Sequence, residues 1–230
     1  MVSESAKDLV PKFFGKTAGT YDTVARWATL GKDEYWKKQI LNQILNGESF
    51  LDLACGTGIL TRKIAKKFPN AKIIGIDITK GYLEIAKRNS TSYKNITFLH
   101  QDAESLHLDS KFDWIISSYL PKYCDPEILV KNCIDYLNPG GSIIFHDFIY
   151  PKNKIVQKIW NTHFVVLRFL GKFFPSWKEA FRELPELIRS SSWLRDYENL
   201  MRKNGLQITS HILTWNTVAI LKGTKNLDLE

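Results

Sequence analysis

Ser49-Phe50-Leu51-Asp52-Leu53-Ala54-Cys55-Gly56-Thr57-Gly58-Ile59-Leu60-Thr61 opens as a short apolar run and closes on a glycine pair and the start of a new periodicity. Gly47 breaks the pattern ahead of it, and Leu60 to Phe68 keeps helical spacing until Pro69-Asn70 ends it. The segment reads as strand, tight turn, helix. Outward from it the alternation repeats. Ala71 to Asp77 reads as a buried strand, Lys80 to Arg88 as a helix, Asn95 to Leu99 and Phe112 to Ser117 as strands. Pro126 to Leu137 reads as a helix, Asn138-Pro139-Gly140-Gly141 as a turn, and Ser142 to Phe148 as a fifth strand. Strands separated by helices of this length form parallel βαβ units with right-handed crossovers. Leu206 to Leu213 and Thr217 to Leu221 are joined around Trp215-Asn216, too closely for a crossover, so they must pair antiparallel. The common nicotinamide-binding sheet does not end this way.

The expected architecture is α/β: a doubly wound sheet of five parallel strands finished by a C-terminal antiparallel hairpin. One domain over residues 1–230 is expected to divide into a helical cap (1–46), a cofactor-binding core (47–148), a helical insertion (149–192) and a C-terminal helix with the hairpin (193–230). Helix is expected across most of 5–46, where Tyr35, Trp36, Ile40, Leu41, Ile44 and Leu45 recur at helical spacing, and over about 153–203.

A chain of 230 residues suits one such domain, and 24% charged with 44% apolar residues argues against disorder. No stretch of about 18 residues is apolar enough to read as a membrane span, and Met1-Val2-Ser3-Glu4-Ser5 lacks the pattern of a signal peptide. Cys55, Cys124 and Cys133 have no metal-ligand spacing; they fit a reducing, cytoplasmic setting, and no metal site is expected. The net charge of +8 is unevenly spread: Phe148 to Lys178 contains no acid but holds Lys152, Lys154, Lys158, Arg168, Lys172 and Lys178. Such a face is either plain solvated surface or a seat for an anionic membrane or an acidic ligand. These basic residues lie among bulky aliphatics, so no nucleic-acid partner is expected. The oligomeric state stays open.

The glycine turn is the chemical signal. Gly56 and Gly58 let the backbone approach a ligand, and the following helix offers unpaired N–H groups. Asp77 closes the next strand, where a carboxylate can accept from both hydroxyls of a ribose; the plainer alternative is a cap for the helix near Lys80. Thr61 stands where a pyrophosphate site wants a small residue, and Asp52 would repel a diphosphate but suit a cation with an α-amino group. S-adenosylmethionine is such a ligand. Gln101-Asp102-Ala103 follows the third strand, where an acid can hold an adenine amino group, and Ser117-Ser118-Tyr119 closes the fourth.

Together Asp52, Gly56, Gly58, Asp77, Asp102-Ala103 and Asn138 to Gly141 resemble the motif series of class I, Rossmann-like methyltransferases. A narrower resemblance rests on Phe14-Gly15-Lys16-Thr17-Ala18-Gly19-Thr20-Tyr21-Asp22, on Gly31 with Trp36-Lys37-Lys38, on Leu53 to Thr61, on Phe181 to Ile188 and on Ala219 to Gly223. In these the chain resembles the ubiquinone/menaquinone biosynthesis C-methyltransferases. The resemblance implies that Thr61, Asp77, Asp102, Ala103 and Ser118 contact the cofactor, and that a polyprenylated ring is methylated on carbon. Lys122-Tyr123 replaces that family's arginine-asparagine pair, Phe181-Arg182-Glu183-Leu184 its Tyr-x-Tyr-Leu, and Asp147 its glutamate. A lysine keeps the charge without the planar fork. Another small-molecule or lipid-amine acceptor, or a nicotinamide-nucleotide-binding protein, are the competing readings.

Ring C-methylation needs an electron-rich ring and hence a base. His146 and Asp147, at the C-terminal end of the fifth strand, are the first candidates, with Tyr21 on a lid and Lys122 as electrostatic support. A histidine without chemistry is the alternative for His146, and Cys55 reads as a small turn residue rather than a nucleophile. On a helical wheel Lys154, Gln157, Lys158, Asn161, Arg168 and Lys172 share one side, while Ile155, Ile159, Trp160, Phe164, Leu167, Leu170, Phe173 and Phe174 fill the others. The segment is expected either to cover the sheet or to gate an apolar acceptor cavity with its apolar side while its basic side meets lipid headgroups.

Overall fold

Seven strands form one sheet in the order β3-β2-β1-β4-β5-β7-β6. They are β1 (Ser49–Leu53), β2 (Lys72–Asp77), β3 (Ile96–His100), β4 (Phe112–Ser118), β5 (Leu137–Phe148), β6 (Gln207–Leu213) and β7 (Val218–Thr224). The first five are mutually parallel, and β7 runs antiparallel to both β5 and β6. The computed structural model describes residues 6–227. The signal-peptide reading of Met1 to Ser5 and the outer ends of the cap and hairpin lie outside the described residues.

Alternation along the central strands supplies both faces with apolar side chains. Leu51, Ile74, Ile115 and Ile143 join one buried cluster, and their neighbours Phe50, Ile73, Ile116 and Ile144 join the other. Between them lie α4 (Ile59–Lys67), α5 (Lys80–Asn89) and α6 (Pro126–Asp135), and α9 (Trp193–Lys203) follows the insertion. Side chains set several of the boundaries: Asp125 accepts from the N–H groups of Glu127 and Ile128 and so starts α6.

The long helical stretches are broken where the backbone demands it. The cap consists of α1 (Leu9–Phe14), α2 (Tyr21–Ala28) and α3 (Lys32–Asn42), with Leu30 and Gly31 in the left-handed region between the last two. The insertion is α7 (Lys154–Leu170), capped by Asn153, and α8 (Lys178–Ser190). The turn expected at Asn138 to Gly141 falls inside β5 as an interruption of register: Leu137 faces Phe112, and Ser142 faces Trp114. The hairpin connection is Thr214, Trp215 and Asn216, all at positive φ. A third buried cluster, including Phe13, Val24, Tyr123, Trp160, Phe164, Trp177 and Phe181, binds α1, α2, α7 and α8 into a roof. Among the described residues no helix is long and apolar enough to cross a membrane.

Candidate active site

The strand order reverses between β1 and β4, and a ligand crevice in an open α/β sheet lies outside the strand ends at such a point. A cavity of about 320 Å3 sits there. The turn after β1 forms its floor. Ala54 and Gly56 both have positive φ, at 52° and 56°, and both line the cavity. Gly58 serves differently: a Cβ there would stand 3.1 Å from the Phe98 ring and 3.2 Å from Ala86, so it permits close helix–sheet packing and does not line the cavity.

Asp77 closes β2 and faces the cavity. One carboxylate oxygen accepts from Gly56 N–H and the other from Thr79 N–H, each at 2.8 Å. Burial pushes its pKa up, and these backbone donors oppose the rise. Each oxygen keeps lone-pair capacity for a further donor. Asp77 thus ties the glycine turn to the start of α5, and Thr79, not Asp77, is the N-cap of that helix. Asp102 and Ala103 line the cavity beyond β3, and Lys7 from the cap ion-pairs with Asp102 at 2.6 Å and also with Glu104.

Asp52 and Thr61 lie behind the glycine turn and not at the cavity wall. Asp52 is 1% exposed, and its carboxylate accepts from the Thr61 hydroxyl at 2.6 Å. The two hold each other beneath the turn, and neither lines the cavity. Burial raises the Asp52 pKa to about 7, with the Thr61 hydrogen bond acting against it.

The four catalytic candidates separate as well. Tyr21 lines the cavity, and burial holds its hydroxyl well above its ordinary pKa, so it stays protonated and can donate but not serve as a base. Asp147 does not line the cavity: it is fully buried and takes the Lys122 ammonium at 2.8 Å, the Phe148 N–H at 2.7 Å and the Lys122 N–H at 3.3 Å. The Lys122 ammonium also donates to the Tyr119 carbonyl. Its charge is spent inside the fold, fastening the loop after β4 to β5. His146 is also fully buried and away from the cavity wall, but its Nδ1 lies 2.9 Å from the hydroxyl of Ser118, which lines it. Burial, with Lys37 and Lys122 nearby, holds the His146 pKa well below the usual value, so the ring is neutral. Its Nε2 has no hydrogen-bond partner.

Aromatic rings that the sequence reading left unassigned join Tyr21 in the wall. Phe14, Tyr21, Tyr82 and Tyr123 line the cavity and meet edge to face at centroid distances of 5.1–6.2 Å. Tyr119, at φ 76°, turns its ring onto Phe148 and donates its hydroxyl to Asp33 at 2.7 Å. The available signal was Phe14 in the opening motif and Tyr82 five residues after the ribose-type acid. The insertion helix α7 contributes nothing to the lining: its inner residues pack on the roof cluster behind the rings. Among the described residues no group of three His, Cys, Asp or Glu is placed to hold a metal.

The model of the ubiE/COQ5 methyltransferase family matches residues 1–225. A protein of Hahella chejuensis named ubiquinone/menaquinone biosynthesis C-methyltransferase UbiE is 28% identical over 226 residues, spanning 94% of this chain and 91% of its own. One of the same name from Pseudomonas syringae pv. syringae is 28% identical over 235 residues, with 97% and 92% covered. Among solved structures, magnesium protoporphyrin IX methyltransferase from Synechocystis with bound SAM superposes with a TM-score of 0.63 at 15% identity, covering 98% of this chain and all of that one. Geranyl diphosphate C-methyltransferase from Streptomyces coelicolor gives 0.63 at 12% identity over 84% and 79%. At such identities the structural likeness speaks for the fold.

Proposed function

The chain belongs to the ubiE/COQ5 methyltransferase family, and from that premise we propose that this S-adenosylmethionine-dependent enzyme methylates a ring carbon of a polyprenylated, quinol-type acceptor met at a membrane surface. The observation that carries the acceptor class is the likeness to C-methyltransferases of quinone biosynthesis along nearly the whole chain, cap and insertion included.

The residues present fit the cofactor. The floor at Ala54 and Gly56 is bare of large side chains, Asp77 has acceptor capacity facing the cavity, and Asp102 stands beside Ala103 at the far end. In this reading Asp77 takes the ribose hydroxyls, Asp102 with Ala103 the adenine edge, and Ser118 lies toward the methyl group. Gly58, Asp52 and Thr61 act from behind by shaping the turn. When bound, the sulfonium supplies an already activated methyl group.

What the chain must add is alignment and an electron-rich ring. The aromatic wall excludes water and offers faces for a flat acceptor, and alignment alone is worth up to ~7–11 kcal/mol in intramolecular analogues. The Ser118 hydroxyl can accept a hydrogen bond from a ring hydroxyl, and can take that hydroxyl's proton as it passes its own to Nδ1 of neutral His146. Proton acceptance of this kind contributes about 10²–10⁴-fold. The test is methyl transfer from isotopically labelled donor to a panel of demethyl-quinols, with mass spectrometry of the products. Label on ring carbon supports the reading; label only on oxygen, or on no quinol while a lipid amine is modified, overturns it.

A further inference from the structure

The outer face of α7 is apolar. Ile155 (72% exposed), Ile159 (53%), Val166 (49%) and Phe169 (57%) share the solvent side of α7, with Thr162 as one polar step among them, and Phe173 (68%) continues the line just past the end of the helix. The opposite side, Trp160, Phe164 and Leu167, is buried in the roof cluster. From Ile155 to Phe169 the ridge runs for roughly 21 Å at the rise of an α-helix. The Phe169 and Phe173 rings are in edge contact at 5.9 Å, and the Lys172 ammonium sits 5.5 Å from the Phe169 ring centre. Lys154 and Lys158 are exposed along one edge of the same ridge. Arg168 is not part of it: its guanidinium turns to the Arg182 carbonyl of α8. The helical wheel grouped two apolar sides that the fold separates. The apolar side that faces outward is a different one from the side that is buried, and the lysines border it.

Single exposed apolar side chains are ordinary, but a row of them broken only by Thr162, with basic borders and no acid between Phe148 and Lys178, is the pattern of a helix lying in a lipid interface. We infer that α7 docks this ridge into an anionic lipid surface, its aromatic and aliphatic side chains below the headgroups and Lys154, Lys158 and Lys172 among the phosphates. The inference deepens the reading of a membrane-derived acceptor and rests on it for its purpose. Trp160 and Phe164 on the inner side belong to the same cluster as Tyr123, a cavity wall residue, so α7 stands between the lipid-facing ridge and the packed roof of the cavity.

Vesicle co-sedimentation at low salt tests this, with phosphatidylglycerol-containing and pure phosphatidylcholine vesicles. Wild type is expected to bind the anionic vesicles at least tenfold better than the neutral ones. Phe169→Ser with Phe173→Ser, both well exposed and so harmless to folding, should reduce binding to anionic vesicles at least tenfold. Lys158→Gln with Lys172→Gln should cost roughly thirtyfold, the factor for two surface charges. Arg168→Gln should cost little. If the serine pair binds like wild type, or Arg168→Gln loses as much as the lysine pair, the docking surface is wrong and only diffuse charge is at work. If no vesicle is bound and sedimentation velocity shows a dimer that the serine pair breaks, the ridge meets a second copy of this chain instead. Turnover of a short-tailed, water-soluble quinol is measured alongside. Its retention in the serine pair supports a role in docking alone, whereas inactivity of wild type on every quinol overturns the acceptor reading and leaves the vesicle result standing.

Discussion

Asp77 carries the most at the scale of single residues, because one carboxylate serves the backbone turn and the cavity at once. Asp77→Ala should weaken S-adenosylmethionine binding by about 1.5–3 kcal/mol, the size of lost charge-assisted hydrogen bonds; calorimetry giving wild-type affinity would remove it from the site. Asp52 behaves in the opposite sense. Its folded pKa of about 7 stands above that of a free carboxylate, so its contribution to stability is complete at low pH and is lost as pH rises through 7. Asp52→Asn in the ligand-free protein should therefore gain about 2 kcal/mol over wild type between pH 5 and pH 8, seen as a growing difference in denaturant midpoint. For His146, His146→Gln should lower kcat by tenfold or more with donor affinity unchanged. Because its pKa is depressed, the neutral, proton-accepting form persists well below pH 6.5, and kcat should not fall between pH 7 and 6 on its account. The place of Asp77, Asp102 and Ser118 at the cavity was legible in the sequence because Asp77 and Ser118 end strands and Asp102 follows one. The Ser118–His146 and Asp52–Thr61 pairs were not, since nothing local to either partner announces a contact 28 or 9 residues away.

At the scale of elements, the loop after β4 and the end of β5 are held by the buried Lys122–Asp147 pair. Removing one partner strands a charge: Lys122→Met alone should cost about 3–5 kcal/mol in urea unfolding, and Lys122→Met with Asp147→Leu should recover most of it. A double variant no more stable than the single one would show that the pair is needed for more than neutralisation. The strands and their order of appearance could be read from periodicity, because most are short apolar runs set off by turn-forming or polar residues. The breaks within the helical stretches could not: Leu30 is a non-glycine residue at φ 52°, and no propensity marks it. Nor could the wheel of α7 tell which of its apolar sides is buried. That depends on the roof cluster, to which α1, α2 and α8 also contribute.

Across the whole molecule, the cap closes over the cavity through contacts that bridge it to the sheet: Lys7 to Asp102, Thr17 to Tyr82 at 2.7 Å, and Asp22 to Thr57 at 2.6 Å. If a ligand enters past this cap, Lys7→Ala should speed association of S-adenosylmethionine in stopped-flow measurements and raise amide exchange in α1. Equal rates would mean that entry lies elsewhere. The threading of the last strands has a different kind of consequence, one of timing. β7 lies between β5 and β6, and 69 residues separate the end of β5 at Phe148 from the start of β7 at Val218. On a ribosome adding about 5–20 residues per second, the flank of β5 waits roughly 4–14 s for its antiparallel neighbour. β6, made first, has no place to pair until β7 arrives. During synthesis, therefore, a nascent chain offers an unpaired edge flanked by Ile143, Ile144 and Phe145, the kind of surface that holding chaperones protect.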